Sequence, residues 1–240
     1  MFRTKSGQKI PAVTEDQMRE VDRIAVEEFG LSVLQMMENA GRSLALNVIE
    51  MLGSSSGDVA ILAGAGGNGG GGICCARHLY NRGFKVHVLL DRDLKEMRRP
   101  ALAQLHTLEM AGLKVVKPGS AQQRLKEAAI VVDALIGYSL RGAPGGRTAE
   151  LIFLSNQNAA KVLSLDLPSG MNATTGEAPG VMIQPERTLT LALPKTGLRR
   201  FKGDLVLADI GIPPQVYHPL GITFEPFFFE KYWVQIEPVE

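Results

Sequence analysis

The chain has 240 residues, 45% hydrophobic and 21% charged, the balance of a soluble globular protein of one large domain or two small ones. A formal net charge of +1 gives nucleic acid, a membrane surface or an acidic partner no broad electrostatic hold, so neither nucleic acid nor a membrane is expected as a partner. No apolar run reaches the ~18 residues of a membrane span, and Met1 to Ile10 lacks the apolar stretch of a secretory leader.

Thr14-Glu15-Asp16-Gln17 reads as a capping box opening a helix, along which Met18, Val21, Ile24, Ala25 and Phe29 recur at helical spacing. A second helix is predicted over Ser32 to Leu52, with Leu34, Met37, Leu44, Val48 and Met51 on its apolar side, followed by a loop at Ser54 to Gly57. The pattern then alternates. Strands are predicted at Asp58 to Ala63, Lys85 to Leu90, Lys114 to Val116, Ala129 to Ala134 and Val162 to Asp166. Helices are predicted between them, at Ile73 to Arg82, Leu102 to Ala111, Ala121 to Ala128 and Thr148 to Asn158. Later strands are read at Thr188 to Leu193, Asp204 to Asp209 and Thr223 to Phe229, the last with an aromatic cluster that seals the core. Strands apolar throughout and separated by helices mean a mostly parallel sheet covered on both faces. With no repeat, linker or composition break, residues 1–240 are read as a single α/β domain, with the two N-terminal helices packed beside the sheet. Cys74 and Cys75 are neighbours and an ordinary disulfide between them is strained, so free thiols and a reducing, cytoplasmic setting are expected.

The most informative segment is Ile61 to Ile73, where an apolar strand enters a turn with seven glycines in nine positions. Glycine lets a ligand approach the backbone and lets the chain take φ > 0, and a following helix N-terminus favours an anion. In open parallel sheets, ligands bind beyond the carboxyl ends of the strands. That rule predicts that the glycine loop, Asp133, Asp166 and Pro168-Ser169-Gly170 meet at one edge, with Asn68, Asp133, Asp166 and Ser169 as neighbours. Their hard oxygen atoms suit an alkali or alkaline-earth cation rather than zinc. Gly64-x-Gly66-x-x-Gly69 also satisfies the dinucleotide fingerprint, and Asp91, 22 residues after Gly69, stands where a ribose-binding acid would. No Gly-Lys-Ser/Thr follows the loop, Ser169 is not set in Gly-x-Ser-x-Gly, and no hydride-transfer pair of tyrosine and lysine is evident.

Several segments in order resemble the YjeF N-terminal domain family, the NAD(P)H-hydrate epimerases: Val13 to Asp22, Leu34 to Gly41, the glycine loop with Ala76-Arg77-His78-Leu79, Val132 to Gly137, Arg141-Gly142, Leu165 to Gly176, Thr188 to Lys195 and Asp209 to Pro213. The resemblance implies a Rossmann-like three-layer αβα sandwich and an isomerase that interconverts the R and S epimers of NADHX and NADPHX, hydrated reduced nicotinamides bearing a hydroxyl on C6. It implies a separate NAD(P)HX dehydratase in the same repair pathway, and it allows a homodimer. Carried over by motif, the substrate-binding residues are Gly67, Asn68, Gly69, Gly70 and Gly71, then Gly137, Tyr138, Ser139, Leu140, Arg141, Gly142 and Ala143, together with Asp166. A potassium ion is implied at Asn68, Asp133 and Ser169, and Asp166 is the implied catalytic residue. The family loop usually reads Asn-Asn-Gly-Gly-Asp-Gly; here glycine stands in place of its first Asn, at Gly67, and of its Asp, at Gly71. Ile136 replaces a common aromatic. The expectation is therefore an NAD(P)HX epimerase. The alternatives are a relative with altered or lost chemistry, serving as a nucleotide-ligand binder or dimerisation module, and an NAD-dependent dehydrogenase.

Overall fold

Nine apolar or alternating runs form one sheet in the computed structural model, which describes residues 1–53 and 57–239. The predicted loop at Ser54 to Gly57 lies, as far as Ser56, outside the described residues. The strands are β1 (Phe2–Thr4), β2 (Lys9–Ile10), β3 (Asp58–Ala63), β4 (Val86–Leu90), β5 (Ala128–Ala134), β6 (Val162–Leu165), β7 (Arg187–Leu191), β8 (Asp204–Ala208) and β9 (Trp233–Pro238). Their order is β2-β1-β9-β8-β7-β6-β5-β3-β4. From β4 to β8 every pairing is parallel; β9, β1 and β2 add an antiparallel flank. β3 lies between β4 and β5, so the order reverses there, and the crevice above this switch point is where a doubly wound sheet receives its ligand.

The helices are α1 (Glu15–Glu27), α2 (Val33–Leu52), α3 (Gly67–Tyr80), α4 (Arg99–Met110), α5 (Ala121–Glu127) and α6 (Gly146–Asn158). Thr14 and Ser32 cap α1 and α2, each in a reciprocal capping box with Gln17 or Gln35. Helices α2, α3 and α4 cover one face through Leu44, Ile73, Leu79 and Leu105 against Ile61, Val88 and Val132. Helices α5 and α6 cover the other through Leu125, Leu151 and Ile152 against Leu62 and Val131. Beyond β6, α1 and the terminal segments close a third core around Phe2, Ile10, Val21, Leu205, Leu207 and Tyr217. The fold is thus the expected αβα sandwich, with α2 packed on the sheet in one helical layer and α1 packed against the flank beyond β6. No helix among the described residues is long and apolar enough to cross a membrane.

Other differences have local causes. Phe29 and Leu34 are exposed: Phe29 lies past the end of α1, and Leu34 lies in the first turn of α2. Lys114 to Val116 is not a strand; the Val116 N–H reaches the Val88 carbonyl (2.8 Å) beside β4, and Pro118 soon follows. Thr223 to Phe229 is not a strand either, because Pro226 has no N–H and Phe229 takes φ +45°. Phe227 is still buried, its ring 5.3 Å from that of Phe224 and 4.6 Å from that of Phe228.

The largest difference is at the glycine run. Helix α3 starts at Gly67, six residues before the predicted start, and no glycine from Gly64 to Gly72 has a positive φ. Five of them, Gly64, Gly69, Gly70, Gly71 and Gly72, serve close packing rather than a left-handed turn. A Cβ at Gly64 would lie 2.0 Å from the Leu135 carbonyl oxygen, and one at Gly69 would lie 1.7 Å from the Gly64 carbonyl oxygen. Gly70 faces Met37, Gly71 faces Leu165 and Gly72 faces the Ala134 methyl, each at under 3.0 Å. Gly69→Ala, blocked by backbone, is expected to cost ~1–3 kcal/mol. Gly67→Ala meets nothing within 4 Å and should be neutral or stabilising by up to ~1 kcal/mol. Urea unfolding of the two variants checks the contrast, and equal midpoints would refute this packing role.

Candidate active site

The loops after β3, β5, β6 and β7 converge above the switch point. Asp166 directly follows β6 and takes φ +67°, a left-handed conformation that asparagine and aspartate tolerate better than other side chains but that still signals strain. Its N–H is held by the Leu189 carbonyl (2.7 Å). Lys195 Nζ donates to Asp166 Oδ1 (2.5 Å) and the Tyr138 N–H donates to Oδ2 (3.0 Å), so both carboxylate oxygens are oriented. Lys195 is 1% and Asp166 3% exposed, which makes this a buried ion pair. Lys195 Nζ also donates to the Leu191 carbonyl (2.8 Å) and lies 6.0 Å from the Tyr138 ring centroid. The Tyr138 hydroxyl in turn donates to Asp22 Oδ2 on α1 (2.5 Å). Burial pushes the Asp22 carboxyl above the usual carboxylate range, although the Tyr138 hydroxyl and the Lys195 charge pull the other way.

Asp133, in β5, lies beneath this layer and is fully buried, as is Ser169. The Ser169 hydroxyl (2.5 Å) and the Leu135 N–H (3.3 Å) donate to its Oδ1; the Ser164 hydroxyl (2.7 Å) and the Ser169 N–H (2.9 Å) donate to its Oδ2. All four donors are neutral, and among the described residues no cationic side chain pairs with Asp133. Burial therefore pushes its carboxyl up, against the downward pull of the Ser169, Ser164 and Leu135 hydrogen bonds. The Ser169 hydroxyl also lies 3.2 Å from the Ile136 carbonyl oxygen and accepts from the Ile136 N–H (2.9 Å). Asn68, in the first turn of α3, donates its amide to the Leu165 carbonyl (3.2 Å), which leaves its Oδ1 beside Gly137. A Cβ on Gly137 would stand 3.1 Å from Asp166 Oδ2 and 3.3 Å from Asn68 Oδ1, so a side chain there would crowd both.

A cavity of about 930 Å³ opens over these residues, within the size range of small-molecule sites. Asp22, Tyr138, Asp166 and Lys195 line one part of it; Asp91, Arg92 and Thr148 line another. Gly66 and Gly67, at the start of α3, lie on its wall, and a Cβ at either would meet nothing within 4 Å. The unpaired N–H groups of this first turn can receive an anion such as a pyrophosphate.

Of the residues expected to bind substrate, Gly67, Asn68, Gly71, Gly137, Tyr138, Ser139, Leu140, Arg141, Ala143 and Asp166 line this cavity. Gly69, Gly70 and Gly142 do not: the first two face Gly64 and Met37, and Gly142 supplies a turn at φ +67°. The four predicted neighbours Asn68, Asp133, Asp166 and Ser169 are brought together. Sequence reasoning did not single out Lys195 and Asp22. Lys195 carried a usable signal, since it follows Leu193-Pro194 past the end of a parallel strand. Asp22 carried none beyond being polar next to the core residue Val21.

A second cluster of titratable groups, between α2 and α3, is closed on itself. Glu38 accepts from Arg77 Nη2 (2.5 Å) and the Cys74 thiol (3.3 Å) and bonds His78 Nε2 (2.8 Å). Burial and the neighbouring Glu38 charge push the Cys74 thiol up to about 12, so it is not a thiolate at neutral pH. Both cysteines are free and buried, as expected.

The profile of the family described as "YjeF-related protein N-terminus" matches residues 33–197, more than half of the chain. The chain belongs to the YjeF N-terminal family. Among similar YjeF relatives, an NAD(P)H-hydrate epimerase from Dehalogenimonas lykanthroporepellens is 49% identical, over 100% of this chain and 98% of its own length. One of the same name from Rhodopirellula baltica is 36% identical, over 89% of this chain and 90% of its own length. A bifunctional NAD(P)H-hydrate repair enzyme from Hyperthermus butylicus is 39% identical over 79% of this chain, which spans 36% of that longer protein. The crystal structure of the yeast protein ynu0 superposes with a TM-score of 0.84 at 22% identity, over 94% of this chain and 100% of its own, and shows that the YjeF sandwich is shared.

Proposed function

We propose that this protein is an NAD(P)HX epimerase, and that Asp166 is the group that serves the reacting carbon. The observation that carries this reading is the buried Asp166 carboxylate, held by Lys195 and the Tyr138 N–H at the wall of a dinucleotide-sized cavity, in a chain 49% identical to an NAD(P)H-hydrate epimerase. C6 of the hydrated ring carries both a hydroxyl and the ring nitrogen. As the C6–O bond breaks, a proton relayed from the Lys195 ammonium through Asp166 lets the hydroxyl leave as water, and the nitrogen lone pair forms a planar iminium. Water adding to the opposite face returns the proton through Asp166 to Lys195 and yields the other epimer. The carboxylate so left stabilises the iminium charge in a poorly solvated site. Lys195 and the Tyr138 N–H hold the two Asp166 oxygens in place.

Asn68, Asp133 and Ser169 fit a resident potassium ion: Asp133 is a fully buried carboxylate with neutral donors only, the Ser169 hydroxyl links it to the Ile136 carbonyl oxygen, and Asn68 Oδ1 stands beside Gly137 in the adjoining loop, a hard and undercompensated set. Bound there, the ion would offset the Asp133 charge and fix the start of α3. The thermal midpoint is then expected to rise with potassium over lithium at constant ionic strength, and Asp133→Asn should abolish that difference. An equal response of the wild type to the two salts would overturn the potassium assignment.

The reaction is tested by mixing the protein with R-NADHX and an S-specific dehydratase, the proposed pathway partner, and following the absorbance of restored NADH. Recovery faster than the protein-free control is expected; recovery at the control rate would overturn the reading.

A further inference from the structure

Asp91 follows β4 and is 6% exposed. Its Oδ2 accepts from the Thr148 hydroxyl in the first turn of α6 (2.7 Å), but its Oδ1 is buried with no hydrogen-bond partner among the described residues. A buried acceptor without a donor is costly, so the site is complete only when something supplies that donor. Asp91 and Thr148 line the same cavity as Asp166. From β4 to β6 the sheet takes three steps, through β3 and β5, which at ~4.8 Å each separate the two acids by roughly 14 Å. The first turn of α3, ready for an anion, stands between them.

We propose that the Asp91 end of the cavity is a subsite for an unphosphorylated ribose, which gives its free hydroxyl to Asp91 Oδ1, and that the protein takes the NADH hydrate in preference to the NADPH hydrate. The proposal rests on the epimerase reading and extends it to the far end of the substrate. A ribose hydroxyl is a donor and satisfies Oδ1. A 2′-phosphate brings ~1.5–2 negative charges and acceptor oxygens against a buried carboxylate. Arg92, the cation beside Asp91, is 3.8 Å from Asp91 Oδ2 and 3.9 Å from Glu96 Oε1, so its charge is already shared between two carboxylates. Arg98 is exposed and lines the same cavity, its backbone N–H tied to the Ala65 carbonyl (2.9 Å) next to the start of α3, where an anion is received.

The test is calorimetric binding of ADP-ribose and of its 2′-phosphate, probes without the reacting ring, to the wild type, Asp91→Asn and Thr148→Val, with kcat/KM for both hydrates measured alongside. The wild type is expected to favour ADP-ribose by about tenfold or more, since a hydrogen bond to a charged acceptor is at stake. Asp91→Asn should narrow that ratio several-fold, and Thr148→Val, which frees Asp91 Oδ2, should change it less. Equal wild-type affinities, or a ratio that Asp91→Asn leaves unchanged, would overturn the subsite; epimerisation of both hydrates at equal efficiency would do so while leaving the reaction intact. A tenfold preference for ADP-ribose in a protein that epimerises neither hydrate would support the subsite and overturn the reaction.

Discussion

Asp166→Asn is expected to lower epimerase turnover by about 10²–10⁴-fold, the usual contribution of a positioned acid–base group. Asparagine suits the left-handed backbone at this position (φ +67°) and can still accept from the Tyr138 N–H, so the loop after β6 keeps its path. What it loses is the ability to carry the proton and to stabilise the iminium by charge. The coupled assay under saturating substrate reads this directly. Turnover within a few-fold of wild type would remove Asp166 from the chemistry and would require another group at the cavity wall.

Lys195→Met is expected to destabilise the fold by ~3–5 kcal/mol, because it leaves Asp166 charged and buried without its partner. Asp166→Asn strands Lys195 in the same way. The double variant Asp166→Asn with Lys195→Met should recover much of the stability, since replacing both members of a buried pair can be close to neutral, but it should recover no activity. Urea unfolding of the wild type, both single variants and the double variant gives the coupling energy. Additive losses would mean that the pair contributes nothing as a pair. Activity in the double variant would mean that Asp166 is not the proton carrier.

The parallel part of the sheet was legible because its strands are apolar on both faces and are punctuated by helices with plain signals, such as the two capping boxes at Thr14 and Ser32. Knowing that β3, β5 and β6 are parallel was enough to bring Asn68, Asp133, Asp166 and Ser169 to one edge. The antiparallel flank was not legible: β1 and β2 have only three and two residues, and β9 has no strand periodicity, with three partly buried side chains, then buried Ile236, then two exposed residues. The start of α3 was misread because glycine is taken as a turn former, whereas here its missing Cβ lets a helix lie against Gly64, Met37 and Ala134. Lys195 was within reach of the strand-end rule, past the end of a parallel strand, whereas Asp22 joins the site from α1 through the Tyr138 hydroxyl, a contact across the fold that no local pattern encodes. The strain at Asp166 appears only in its backbone angle.

The glycine-built start of α3 also bears on how the chain folds. Each helical glycine sacrifices ~1 kcal/mol of intrinsic helix propensity relative to alanine, and five of the first six residues of α3 are glycine. An isolated helix already nucleates poorly, so this segment has no tendency to coil ahead of its surroundings. It is expected to become helical only as β3, β5 and α2 assemble around it, so this end of the cavity, and with it the proposed dinucleotide site, is expected to be completed late in folding.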